Sequence, residues 1–173
     1  MTAGEADREA VRRLLESQRL GVLCTQGGGQ PHASLVAFAP GDDGRSLLFA
    51  TARATLKFRN LAADPRAAIL VDDRNEGRGP LGAAAAATAA GRTEEVPEAE
   101  REAFRRAYLA RHPHLAAFLD DPECALLRLR VEAWTLVRQF QQVAHLPGEL
   151  RPTTGPSPSK SRSLSVLRDG RGR

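Results

Sequence analysis

The chain has 173 residues, of which 42% are hydrophobic, and a formal net charge of +4 at pH 7. This length favours one domain with a buried core, and no apolar run approaches the roughly 18 residues that a membrane span requires. Residues 1–7 have neither a basic flank nor an apolar core, so they do not match a signal peptide. We therefore expect a cytoplasmic protein without a membrane segment.

The basic charge is confined to the C-terminal end of the chain. Residues 151–173 contain six Lys or Arg residues and one acid, which leaves 19 of the 25 basic and 20 of the 21 acidic residues in 1–150. The terminal segment is rich in Pro, Ser and Arg and has no aromatic residue for base stacking. The sequence predicts a domain over residues 1–150, a disordered tail over 151–173 and no nucleic-acid binding.

The two cysteines, Cys24 and Cys124, lie in separate apolar runs without the spacing of a metal site. A free thiol in such a run usually behaves as a small core residue, and disulfides are rare in cytosolic proteins. We expect both cysteines to be buried and no metal to be bound.

Hydrophobic periodicity predicts a mainly β fold with peripheral helices. A T-x-x-E capping box opens the first of three amphipathic helices, which are predicted over residues 4–17, 56–63 and 98–111, with a short helical turn over 115–119. Apolar and alternating runs predict five strands, over residues 20–25, 32–38, 46–51, 67–72 and 125–137. In the last strand the alternation predicts that Leu127, Leu129, Val131 and Ala133 face inward.

Residues 49–61 have the chemistry of an anion site. Thr55 is placed to cap the helix predicted over 56–63, and a helix N-terminus presents unpaired N–H groups and a partial positive charge. Thr51 adds a second hydroxyl, and Arg53, Lys57 and Arg59 add three cations. The alternative is that Thr55 serves only as a cap and that the cations form a solvated face.

The same segment carries a family pattern, F-x-T-x-x-x-[S/T]-x-K-x-x-x-L followed by D-P-R-A-A. It resembles the flavin-phosphate segment of the pyridoxamine 5'-phosphate oxidase-like, FMN-binding split-barrel family. Residues 30–36 are similar to the family's strand beside the flavin, and residues 89–92 to its G-x-A strand. Residues 140–146 are similar to the closing segment of the haem-utilisation branch. The resemblance covers roughly residues 8–146.

The resemblance implies a homodimeric, six-stranded antiparallel split barrel that binds FMN at the subunit interface. Four residues fall on its phosphate-binding positions: Thr51, Arg53, Thr55 and Lys57. Three fall on the strand whose backbone lines the isoalloxazine ring: Ser34, Leu35 and Val36. The family also places a strand over residues 83–90, where alanine propensity alone favours a helix. The implied function is a flavin-dependent oxidoreductase with an unknown small-molecule substrate.

Two departures argue against true pyridoxamine-phosphate oxidase activity. Ser34 and Ala39 stand where that enzyme's R-T-V-L-L-K strand has basic residues, and its C-terminal Trp and R-x-H-x-R signature have no counterpart before residue 151. The alternatives are a non-enzymatic carrier or sensor of haem, deazaflavin or flavin, and a structural barrel whose basic tail docks on an acidic partner.

The histidines give weaker signals. His112 and His114 flank a proline at a predicted helix end, and we expect both to be solvated. His145 lies in the closing segment and is the residue through which haem would be held in the haem alternative. No side-chain constellation identifies a catalytic residue.

Overall fold

The computed structural model describes residues 2–42, 44–74, 84–139 and 141–150. Within them the chain forms seven strands, namely β1 (Leu20–Gly27), β2 (Gln30–Pro40), β3 (Ser46–Ala52), β4 (Arg66–Asp72), β5 (Ala86–Glu95), β6 (Cys124–Arg138) and β7 (Gln142–Pro147). All pairs are antiparallel, in the order β3-β2-β1-β4-β5-β6-β7. Pairing of β3 with β6 closes the first six strands into a barrel, which confirms the predicted fold class.

Four helices decorate the barrel in the described ranges: α1 (Ala3–Ser17), α2 (Leu56–Ala63), α3 (Arg101–Arg111) and α4 (Ala116–Leu119). The predicted capping box opens α1, since Thr2 and Glu5 each bond the other's backbone N–H. Short 3-10 turns over Glu98–Glu100 and Pro113–Leu115 precede α3 and α4. No helix in this part of the chain has the length and apolarity to cross a membrane.

The six predicted strands all form, but β7 was not predicted as a strand. The alanine-rich segment is strand β5, although residues 75–83, which include its predicted start, lie outside the described residues. Strand β7 has only six residues, and its apolar side chains do not alternate strictly. Its pairing with β6 could therefore not be predicted from the local pattern. The predicted tail, residues 151–173, also lies outside the described residues.

Two apolar cores stabilise the fold. The larger core fills the barrel and includes Phe38, Phe49 and Trp134, together with the inner face of α1. The smaller core lies between the outer side of β3 and β6 and helix α3, which contributes Phe104 and Tyr108. The Tyr108 hydroxyl donates to the Ala37 carbonyl oxygen over 3.1 Å, and burial raises the Tyr108 pKa to about 12.

A bulge in β6 reverses the inward alternation halfway along the strand. Ala90 pairs with Ala133 and Gly91 with Val131, so Glu132 is an extra residue. A Cβ atom on Gly91 would lie 1.9 Å from the Arg130 carbonyl oxygen, so only glycine fits there. The prediction that Ala133 faces inward was therefore wrong: Ala133 is exposed. The other three, Leu127, Leu129 and Val131, are buried as predicted.

The two cysteines differ. Cys124 is buried as predicted, but Cys24 is exposed, so the prediction of a core position for Cys24 was wrong. Leu23 and Thr25 take the inward positions of β1, and strand alternation then directs Cys24 outward beside Ala33.

His112 is also buried, with 2% of its surface exposed, so the prediction of a solvated helix end was wrong for this residue. It caps the C-terminus of α3, which packs on the barrel, and its Nε2–H donates to the Phe38 carbonyl oxygen over 2.8 Å. Burial is the main cause that lowers the His112 pKa from 6.5. His114 is exposed, as predicted.

Substitution His112→Gln should reduce the acid sensitivity of the fold. The pKa of His112 is lower in the folded state than in the unfolded chain. The neutral imidazole therefore contributes fully to the free energy of unfolding above pH 6.5, and this contribution is lost as the pH falls below that value. Urea unfolding between roughly pH 7.5 and 5.5 should show a steeper fall in unfolding free energy for the wild type, by at most about 1.4 kcal/mol per pH unit. His114→Gln is the control, and equal slopes in wild type and His112→Gln would contradict the assignment.

Candidate functional site

Two threonine hydroxyls form a fixed chain at the turn between β3 and α2. Thr55 Oγ1 accepts a bond from the Phe58 N–H (3.3 Å) and donates to the Ala52 carbonyl oxygen (2.8 Å). Thr51 Oγ1 lies 3.0 Å from Thr55 Oγ1 and is therefore the donor of that pair. Thr55 is thus the N-cap of α2, as predicted, and the buried Thr51 hydroxyl holds it in place.

Arg53 lies in the same turn and is engaged by other parts of the chain. Its guanidinium forms a two-pronged ion pair with Glu95 at the end of β5, with an Nη1–Oε2 distance of 3.2 Å. The guanidinium carbon lies 5.2 Å from the centre of the Phe58 ring. The backbone N–H of Arg53 donates to the Glu123 carbonyl oxygen over 2.9 Å. The hydrogen bond that Arg53 donates to the Glu95 carboxylate is the main cause that raises the Arg53 pKa.

Lys57, in the first turn of α2, is half-buried and makes no hydrogen bond or ion pair with the rest of the described chain. The backbone N–H groups of Leu56 and Lys57 likewise have no acceptor there, as expected for a helix N-terminus. Arg59, in contrast, donates to the Ala54 carbonyl oxygen over 2.8 Å. Within the described residues the turn therefore offers two cations without a carboxylate partner, of which Lys57 also has no hydrogen bond, and two free N–H donors.

The three predicted ring-side residues lie on β2 and point in alternate directions. Leu35 is 63% exposed, whereas Val36 faces the barrel. The Ser34 Oγ atom is buried and has no hydrogen-bond partner among the described residues. A buried hydroxyl without a partner is costly, and it marks a place where a ligand or water would be favourable.

The predicted phosphate-binding residues and the predicted ring-side residues border the same opening of the barrel. Strand β2 pairs with β3 only from Phe38 to Pro40, although the same register would continue to place Val36 opposite Thr51. The β2–β3 ladder ends at the pair Phe38 and Phe49, so the two strands diverge beyond it, while Thr51 keeps its pairing with Ala125 on the opposite edge of β3. The edge of β2 at Ser34–Val36 and the turn at 52–55 form the two sides of this gap.

The outside of the barrel beside this gap is apolar. Two rows of directly paired residues cross six strands, and we refer to them together as the outer apolar face: Leu35, Val22, Leu70, Thr88, Thr135 and His145, and Ala33, Cys24, Ala68, Ala90, Ala133 and Pro147. Leu20 (50% exposed) and Val143 (55% exposed) extend it at its margins. Apart from His145, no ionisable nitrogen or carboxylate belongs to this face.

Three cavities of the described chain lie elsewhere. Their volumes are about 170, 140 and 730 Å³, and they lie against α3, between α1 and the β2–β3 connection, and beside α1 and Arg138. None of the three is lined by any of the seven predicted residues. In the described ranges no group of three His, Cys, Asp or Glu residues is arranged to hold a metal ion.

Comparison with known proteins gives the family. The family model of pyridoxamine 5'-phosphate oxidase matches residues 7–138. The chain belongs to this family. No curated protein matches the sequence significantly.

Solved structures share the fold. A heme binding protein from Mycobacterium smegmatis is 26% identical, with a TM-score of 0.76 over 87% of this chain and 60% of its own chain. This chain thus spans about three-fifths of that relative. A FAD-binding protein from Mesorhizobium loti is 20% identical, with a TM-score of 0.60 over 79% of this chain and 94% of its own. HutZ, the heme storage protein from Vibrio cholerae, is 17% identical, with a TM-score of 0.59 over 72% and 89%.

Glu95 is the residue of this site that sequence reasoning missed. The predicted strand ended at residue 90, so Glu95 had no assigned element, and it follows Arg53 by 42 positions. No local pattern pairs side chains at that separation. The contact exists because β5 continues to Glu95 and ends beside the β3–α2 turn.

Proposed function

We propose that this protein binds FMN in the gap between β2 and β3, and that it acts as a flavin-dependent oxidoreductase on a small molecule. The observation that carries the proposal is the uncompensated Lys57 at the capped N-terminus of α2. Bound flavin would supply the electron-transfer chemistry, and the chain would supply its placement and its electrostatic environment. Family membership supports the redox role, whereas no side chain identifies the substrate.

The phosphate fits the turn between β3 and α2. Leu56 and Lys57 provide two free backbone N–H donors, and the Lys57 ammonium provides a charge-assisted bond. The helix N-terminus adds a partial positive charge. Thr51 and Thr55 fix the geometry of this turn through their hydroxyl chain. These are the donors that a phosphate monoester requires.

The ring fits the edge of β2. From Ser34 to Val36 that edge has no partner strand on the side away from β1 within the described part of the chain, so its backbone groups are available to the polar edge of a flavin. Leu35 offers an apolar surface beside it, and the unpartnered Ser34 hydroxyl offers a further polar contact. The structure of this edge therefore suits a planar ligand with polar rims.

Substitution Lys57→Ala should weaken FMN binding and leave the fold intact. Loss of a charge-assisted bond to phosphate, about 1.5–3 kcal/mol, corresponds to a Kd that is roughly tenfold to a hundredfold higher. Quenching of flavin fluorescence on titration measures the Kd, and riboflavin, which lacks the phosphate, should show no difference between variants. Arg13→Ala, an exposed change on α1, is the control. Equal FMN affinities for wild type and Lys57→Ala would refute the site.

We also propose that two copies of the chain associate through the outer apolar face. A contiguous apolar surface of this kind is uncommon on soluble monomers, and small side chains such as Ala68, Ala90 and Ala133 allow close approach of a second sheet. Leu35 belongs both to this face and to the edge of the proposed flavin gap. A second copy seated there would cover the gap, which is open in a single chain.

Substitution Leu35→Asp should produce monomers that bind FMN weakly, because it places a charge in the proposed interface. Sedimentation velocity would report the oligomeric state, and FMN titration the affinity. Ala117→Asp introduces the same charge on the exposed side of α4, away from the face, and should change neither. A wild type that sediments as a monomer would exclude the association.

Haem binding is the second candidate function. The exposed His145 lies on the outer apolar face, and its Nδ1 is 3.2 Å from Thr135 Oγ1. When Nδ1–H donates to Thr135, Nε2 keeps the lone pair that an iron would take. The relative from Mycobacterium smegmatis, at 26% identity, is described as a heme binding protein.

The visible spectrum separates the two candidates. If haem is the ligand, added hemin should give a sharp Soret band that His145→Ala abolishes and His32→Ala leaves unchanged. If FMN is the ligand, the protein should show a flavin spectrum that neither histidine variant changes. A Soret band of equal intensity in wild type and His145→Ala would exclude His145 as the ligand.

A further inference from the structure

One cation of the proposed phosphate site already has an anionic partner within the chain. The Arg53 guanidinium uses both Nη atoms to bind the two carboxylate oxygens of Glu95. This fork geometry matches a carboxylate and a phosphate equally well. Glu95 therefore occupies on Arg53 the position that a phosphate group would take.

The rest of Arg53 is fixed where a phosphate at α2 would meet it. Its backbone N–H is bonded to Glu123, and its guanidinium lies over the ring of Phe58, whose own N–H bonds the cap residue Thr55. The Arg53 side chain thus lies beside the N-terminus of α2 and does not need to swing in from solvent. The positive charge of Arg53 is, however, already neutralised by the Glu95 carboxylate.

The ion pair lies at the rim of the site and is easily exchanged. The side chains of Arg53 and Glu95 are 34% and 42% exposed, and ion pairs with this exposure contribute little to stability. A phosphate monoester carries up to two negative charges and three acceptor oxygens, so it is the stronger partner for a guanidinium. Lys57, one turn away, stays uncompensated and can attract the phosphate first.

We propose that Glu95 competes with the phosphate of the cofactor for Arg53, so that cofactor binding exchanges an internal carboxylate for a phosphate. Glu95 then lowers the affinity for FMN and narrows the preference for FMN over unphosphorylated riboflavin. This inference rests on the proposed function, because it assigns a role to a residue bordering the same site.

Substitution Glu95→Gln tests the competition, since it removes the charge and keeps the size. FMN should bind roughly threefold to tenfold more tightly to Glu95→Gln than to the wild type, whereas riboflavin affinity should not change. Fluorescence titration measures both ligands. Glu102→Gln, an exposed change on α3, is the matched control and should behave as the wild type. Glu95→Ala should shift FMN affinity in the same direction as Glu95→Gln.

A double-mutant cycle with Arg53→Gln separates competition from simple repulsion. If Glu95 acts by occupying Arg53, the gain from Glu95→Gln should disappear when Arg53 is absent. A gain of equal size in the Arg53→Gln background would mean that Glu95 only repels the phosphate through space, and this would overturn the proposal.

The outcomes also separate this inference from the proposed function. If the wild type binds FMN and Glu95→Gln binds it equally or more weakly, the competition is wrong and the FMN site stands. If neither protein binds FMN, the proposed function and the inference both fail. If only Glu95→Gln binds FMN, the carboxylate is the dominant barrier and the inference is supported.

Discussion

The arrangement of the site depends on the unequal lengths of the two ladders that β3 forms along its opposite edges. Strand β3 pairs with β2 over three residues but with β6 over seven. The longer ladder closes the barrel, and the shorter one leaves the edge of β2 unpaired at Ser34–Val36. The barrel is therefore closed along the full length of β3 on its β6 edge, while the gap opens on its β2 edge beyond Phe49. A barrel with a complete β2–β3 ladder would have no such edge to offer a ligand.

Helix α2 follows β3 directly and is fixed by buried contacts. Asn60 donates from Nδ2 to Thr25 Oγ1 over 3.1 Å in the barrel interior, and Leu61 joins the main core. The Thr55 cap and the Thr51 hydroxyl fix the other end. Because both ends are held, the N-terminal donors of α2 are presented to the gap in a defined direction. These buried contacts, and not the cationic side chains, therefore determine how the N–H donors of α2 are arranged around a phosphate.

The elements that carry the site were predictable because their signals are local. A few neighbouring residues are enough to predict the cap at Thr55, the apolar run of β3 and the alternation of β2. Contacts between residues far apart in the sequence could not be predicted in this way. The burial of His112 depends on α3 packing against β2, and the exposure of Ala133 depends on a bulge opposite Gly91. The pairing of Arg53 with Glu95 likewise needs β5 to end beside the β3–α2 turn.

Strand β2 connects the proposed cofactor site with the proposed interface. Its inward and edge-facing groups, at Ser34 and Val36, border the gap, whereas Leu35 between them lies on the outer apolar face. A second copy on that face would contact Leu35, which also borders the gap that a flavin would occupy. Association and cofactor binding would then be linked, and each would strengthen the other by the same factor. Because of this coupling, the apparent affinity for FMN should depend on protein concentration in the range where the two copies dissociate.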